Sequence, residues 1–300
     1  MVLAPPPPAI PATRGSHVSA IFQRWHLLSL DAPTVAALWA WSIARAVHIR
    51  LPWSALLLLA LGTWLVYVAD RILDGLRFES SGKLRERHFF YARHRGKALV
   101  GGATVSIIIL WLVVTRTNAT ARREDTALFA VAVAYFCLVH LCRPGIERWF
   151  PKEAVVGMVF AAAVVVPAWS RLQEHRTSLI AAVTLFALLC WLNCIAIEKW
   201  ECPLRDKTGV LTAGLSHAST RWAQTHFSFV GCGIALLAAI AGIRSELSAG
   251  PAAMTGVYLA CILSAVLFLA FDRSRLSSVQ LRIAADAVLL TPLLFVVVMP

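Results

Sequence analysis

Charge is scarce in this 300-residue chain. Asp, Glu, Lys and Arg make up 15% of residues against 59% hydrophobic, and the mean hydropathy is +0.70. Soluble domains carry about 25% charged residues, so a water-soluble globular class is excluded. Acids are scarcer than bases, 16 against 28, leaving a net charge of +12. No C-x-x-C pair occurs among the 7 cysteines, which removes the usual zinc and dithiol signatures. Cys190 and Cys194 share a helix face and read as packing residues. One spaced histidine pair, His88 and His94, is too little for a di-iron oxidase. There is no strong internal repeat.

What the chain does have is a series of apolar runs of about 17 to 23 residues, the length that crosses a hydrocarbon core. In lipid the backbone must satisfy its own hydrogen bonds, so such runs become helices. The expected class is all-α: a polytopic membrane protein with nine transmembrane helices around a central cavity. The runs place them at 27–49, 51–69, 98–115, 126–142, 154–170, 178–197, 226–243, 252–271 and 284–299. Residues 1–24 contain "APPPPAIPATRG", whose prolines cannot propagate a helix, and read as a disordered cytoplasmic tail. Residues 25–300 form the membrane domain. The apolar stretch after the tail is too long for a signal peptide, and the next begins at Leu51, so no cleavage is expected.

The basic residues lie in short loops, where they set topology and meet anionic headgroups rather than nucleic acid. With the N-terminus inside, 20 of the 28 Lys and Arg face the cytoplasm and 8 face outward. An odd number of spans then puts the C-terminus outside, as in a bacterial cytoplasmic membrane. The loops after the second and sixth helices are the longest cytoplasmic ones and are rich in ionisable groups. Lying four helices apart, they could meet over one cavity.

Carboxylates gather at those two helix ends. In "YVADRILDGLR", Asp70 and Asp74 are spaced i, i+4 and share one helical face. Two acids at a helix C-terminus repel each other and oppose the macrodipole, so a cation must compensate. Arg71 and Arg77 could do so as a solvated pair network, or a divalent ion could. Mg²⁺ takes oxygen ligands and bridges carboxylates to phosphates. In "WLNCIAIEKWECPLRDKTG", Asn193 lies inside the apolar run, and Glu198 and Glu201 follow at its end, with Asp206 beyond Pro203. Asn193 needs either an interhelical partner or a function. Between the two ends, "RFESSGKLRERHFFYARHRGK" carries Arg77, Arg85, Arg87, His88, Arg93, His94 and Arg95. Arginine forks suit phosphate oxygens, though such a loop can equally be a headgroup anchor. Phe89, Phe90 and Tyr91 would sit at the membrane interface. Asp286 is a further acid in an apolar setting, with Arg282 one turn earlier as its expected partner.

Together these features resemble the UbiA superfamily of intramembrane prenyltransferases, which has nine helices and two aspartate-rich cytoplasmic motifs after helices 2 and 6. Asp70 and Asp74 match the last two aspartates of the first motif, N-D-x-x-D-x-x-x-D, while Val66 and Tyr67 stand in its N-D place. Leu192 and Asn193 stand where the second motif opens Y-D, with Glu198, Glu201 and Asp206 as approximate matches downstream. "LDAPTVAALWAW" is similar to the family's first helix, and "PKEAVVGMVFAAAVVVP" to the start of its fifth. The resemblance covers most of residues 27–299.

The resemblance implies Mg²⁺-dependent transfer of a prenyl group from a polyprenyl diphosphate to a small hydrophobic or aromatic acceptor at the cytoplasmic face. It implies Asp70 and Asp74 as ligands of one Mg²⁺, and Glu201 with Glu198 as ligands of a second. Arg77, Arg87 and Arg143 become candidates to neutralise the diphosphate, and Asn193 to orient it. Trp64, Tyr67 and Trp191 could shield a prenyl cation or belong to an interfacial aromatic belt. Two other classes compete. A phosphatidyl-alcohol transferase would use "LDGLRFESSGKLRE", but Asp70 is one position too far away, the A-R is absent and Glu86 replaces an aspartate. A non-catalytic lipid-binding or transport protein on the same fold would explain the missing N-D pair.

Overall fold

The computed structural model describes residues 25–78, 90–91, 93–117, 119–141, 150–172, 176–201, 217–247 and 253–295. Among them every regular element is helical and no strand occurs. The helices are α1 (Asp31–Ala46), α2 (Trp53–Phe78), α3 (Arg95–Arg116), α4 (Ala119–Leu141), α5 (Lys152–Trp169), α6 (Thr177–Glu201), α7 (Ala218–Thr225), α8 (Phe227–Leu247), α9 (Ala253–Asp272) and α10 (Ser278–Val288). A 3₁₀ turn, Thr291–Phe295, follows α10. Six of these helices are long and apolar enough to cross a membrane: Trp53–Leu73, Arg95–Arg116, Lys152–Trp169, Leu179–Glu201, Phe227–Leu247 and Met254–Asp272. The chain is therefore an all-helical protein with the character of a multi-pass membrane protein.

Each apolar run expected to be a helix overlaps one, but boundaries differ: α4 starts at Ala119 rather than residue 126, and α6 and α8 end at Glu201 and Leu247 rather than residues 197 and 243. The first helix starts at Asp31 rather than residue 27, because a turn at residues 28–29, closed by the Leu30 N–H on the Trp25 carbonyl, separates it from the helical residues 25–27. The second continues past residue 69 to Phe78, carrying the acidic stretch inside the helix. The last begins earlier, at Ser278, where Ser277 and Gln280 form a reciprocal capping box, and it gives way to the 3₁₀ turn at Thr291-Pro292. Residues 296–300 of that expected span lie outside the described residues. The segment between the sixth and seventh expected helices contains α7, capped by His217, whose ring accepts from the Ser219 N–H.

α1 ends in a Schellman motif. The Ile49 N–H reaches the Ala44 carbonyl at 2.8 Å, the His48 N–H reaches Arg45 at 2.9 Å, and His48 takes a left-handed φ of 60°.

α6 is the hub of the packing, touching α5, α7, α8, α9 and α10, while α1 lies against α2, α5, α9 and α10. The core runs between them: Trp39 of α1 stacks on Phe186 of α6 at 4.3 Å and donates its indole N–H to the Leu289 carbonyl at 2.8 Å. Small residues permit the close contacts. A Cβ on Gly157 of α5 would lie 2.9 Å from both the Ala187 oxygen and the Trp191 nitrogen of α6. α3 turns its apolar residues outward, with Val100, Ile107, Leu110 and Val114 exposed as a lipid-facing surface requires.

Candidate functional site

The C-terminal ends of α6 and α9 and the N-terminal parts of α5, α7 and α10 meet in one region. Ionisable side chains concentrate there. Lys199 bonds Asp272 of α9 at 2.8 Å, and the Trp200 indole donates to the same carboxylate at 3.0 Å. Arg282 of α10 forms a salt bridge with Glu201, closing the α6 end against α10. Glu153, in the first turn of α5, accepts from the Thr220 hydroxyl of α7 at 2.7 Å. The turn before α1 joins the same end: the Trp64 indole donates to the Leu28 carbonyl at 3.0 Å, and the Tyr91 hydroxyl donates to Ser29 at 3.3 Å. Ser29 sits at a left-handed φ of 56°, a strained position for a residue with a Cβ.

That strained turn delivers His26. Its Nδ1 lies 2.9 Å from an Asp31 carboxylate oxygen and 3.5 Å from one of Asp286. Asp286 therefore meets His26, and Arg282, its expected partner from one turn away, engages Glu201 instead. Helix α10 presents these two residues toward different neighbours, which the i, i+4 spacing alone could not foretell. Tyr91 is 4% exposed and packs against the Ser29 turn.

Asp70 lies half-buried on α2 and takes part in a local interaction. Asp74 and Arg77 follow on the same continuous helix, and their side chains lie outside the described residues, as do Arg87, Arg143, Asp206, Arg85, His88, Phe89 and Glu86. One turn before Asp70 and Arg71, Tyr67 lies under the Arg71 guanidinium, 5.8 Å from the ring centroid. Arg71 is 4% exposed, and its Nε has no hydrogen-bond partner among the described residues. α1 packs against both α2 and α10, and α10 packs against α6.

On α6, Asn193 is half-buried and its Oδ1 is buried without a hydrogen-bond partner among the described residues, so no interhelical bond to that atom explains it. The Trp191 indole N–H is likewise buried without one. Glu198 is half-buried, and Glu153 Oε1 is buried with no partner among the described residues. Sequence reading missed His26, Asp31 and Glu153 as members of this group. The available signal was the acid and proline opening α1, and the acid beside Lys152 in a helix first turn.

No family model, no curated protein and no solved structure matches the chain.

Proposed function

We propose that the chain is a nine-span membrane enzyme that transfers a prenyl group from a polyprenyl diphosphate to a small hydrophobic or aromatic acceptor. The reading places the acidic end of the bundle at the cytoplasmic face, the N-terminus inside and the C-terminus outside. The observation that carries it is the gathering of ionisable side chains at the end of α6, where Glu201 meets Arg282 and Lys199 meets Asp272, beside long apolar helices. A substrate with a charged head and an apolar tail needs such a place, ionisable at the membrane rim and greasy alongside.

The donors on α2 and the end of α6 are carboxylate oxygens, the set that suits Mg²⁺. Asp70 and Asp74 would hold the ion, with Glu198 from the facing helix. Glu201 is drawn to Arg282, which leaves Glu198 the better placed of the two α6 acids. Bound Mg²⁺ would supply neutralisation of the diphosphate charge. Arg71 supports the same reading. It is a buried guanidinium whose Nε–H is available to an anionic oxygen, and charge-assisted bonds of this kind are the stronger class. Arg77, Arg87 and Arg143 would add positive charge. Asn193, with an unsatisfied carbonyl oxygen, would orient the acceptor or the diphosphate, and Tyr67, Trp64 and Trp191 would face the cation-like prenyl carbon.

The test is product formation in reconstituted vesicles from a labelled prenyl diphosphate and a panel of aromatic acceptors. Mg²⁺-dependent product is expected from the native chain, and its loss from Asp74→Asn. Equal activity in a folded Asp74→Asn chain would refute the assignment. A non-catalytic lipid-binding role is the second reading, favoured by Tyr67 standing in the N-D place beneath Arg71. It would give diphosphate retention without product.

A further inference from the structure

A second cluster lies beside this site but uses different chemistry. One ligand atom each from His26, Asp31 and Asp286 lies within 4.8 Å of the other two. His26 Nδ1 is 2.9 Å from Asp31 Oδ2 and 3.5 Å from Asp286 Oδ2. Two ligands bound at about 2.1 Å to one ion stand roughly 3 to 3.5 Å apart, so these separations are those of a shared coordination sphere. No Lys or Arg among the described residues pairs with Asp31 or Asp286, because Arg282 is turned to Glu201. Two carboxylates and one imidazole meet here in partial burial. The three come from separate elements, the strained turn before α1, the first turn of α1, and α10, so their convergence is a tertiary arrangement.

A separate observation points to a ligand here. Arg71 is almost wholly buried with an Nε–H that meets no partner among the described residues. It lies over the Tyr67 ring, 5.8 Å from the centroid. This buried Nε–H is available to an anionic oxygen.

We propose that His26, Asp31 and Asp286 bind a first-row divalent metal ion of the Mn²⁺ or Zn²⁺ class, with Arg71 facing an anionic ligand of that ion. The mixed nitrogen and oxygen donor set selects such ions over Mg²⁺, for which all-oxygen sets are suited. The site is separate from the carboxylates of α2 and α6, and it does not rest on prenyl transfer.

The experiment uses the full chain in detergent micelles, stripped of metal and titrated with Mn²⁺ alone, followed by electron paramagnetic resonance with electron spin echo detection of nitrogen coupling. One tightly bound Mn²⁺ per chain with a directly coordinated nitrogen is expected. His26→Gln should abolish the nitrogen coupling, Asp286→Asn should weaken binding by at least about tenfold, and Asp74→Asn should leave the nitrogen-coupled ion in place. A native chain that binds no Mn²⁺, or binds it without nitrogen coupling, overturns the proposal whatever the variants do. So does nitrogen coupling that persists in His26→Gln. Absent prenyl transfer with the nitrogen-coupled ion present would refute the proposed function and leave this site standing.

Discussion

Substituting Gly157 by alanine tests the packing that brings the acidic ends together. A Cβ at this position would lie 2.9 Å from the Ala187 oxygen, 2.9 Å from the Trp191 nitrogen and 3.3 Å from the Trp191 Cα. Ordinary contacts begin at 3.4 Å, so the shortfall is about 0.5 Å, and all three atoms are backbone. No rotamer change relieves it. α5 and α6 must separate along their contact, losing dispersion interactions on both sides, at a cost of about 1 to 3 kcal/mol. Glu153 lies one turn before Gly157 on the same face, so the separation would also strain its hydrogen bond from the Thr220 hydroxyl. Gly62 on α2 is the control, since a Cβ there meets nothing within 4 Å. Gly62→Ala should be neutral or stabilising by up to about 1 kcal/mol, through helix propensity alone. Thermal unfolding of both variants in the same detergent, followed by tryptophan fluorescence, reads the difference. A Gly157→Ala chain as stable as the native one would refute the close approach of α5 and α6.

Other consequences follow from the caps and ion pairs. His48 holds a left-handed φ at the end of α1 and is exposed, so His48→Gly should raise stability by about 1 kcal/mol in the same unfolding assay, whereas His48→Val should lower it. Arg282→Met leaves Glu201 facing an apolar group and should destabilise by about 3 kcal/mol. The double change to Met at both positions should recover most of that loss, and additivity of the two single losses would show that the pair is not coupled.

The sequence made the helices legible wherever an apolar run exceeded a membrane thickness, because lipid leaves the backbone no alternative. It misplaced ends where polar residues continue a helix. Asp70 to Phe78 stays helical since the 3.6-residue period carries through "DRILDGLRF", although hydropathy falls away at Asp70. At the other end of the chain, the capping box at Ser277 and Gln280 marked the true start of α10, and hydropathy pointed six residues later. The clustering of acids at the ends of α2 and α6 was visible as spacing. The partners were not: Arg282 has two acids in reach, Asp286 along its own helix and Glu201 on α6, and only tertiary packing decides between them. His26 and Asp286 are separated by 260 positions, so nothing local links them. Their meeting depends on a left-handed Ser29, which no propensity would place there.

The central claim is that the acidic ends of α2 and α6 serve one Mg²⁺-dependent diphosphate site. Equilibrium binding of farnesyl diphosphate to the full chain, with and without Mg²⁺, tests it most directly when the native chain is compared with Asp70→Asn on one helix and Glu198→Gln on the other. The account expects binding that requires Mg²⁺ and falls by at least about tenfold in each variant. Binding that ignores Mg²⁺, or that survives intact in either folded variant, would contradict it.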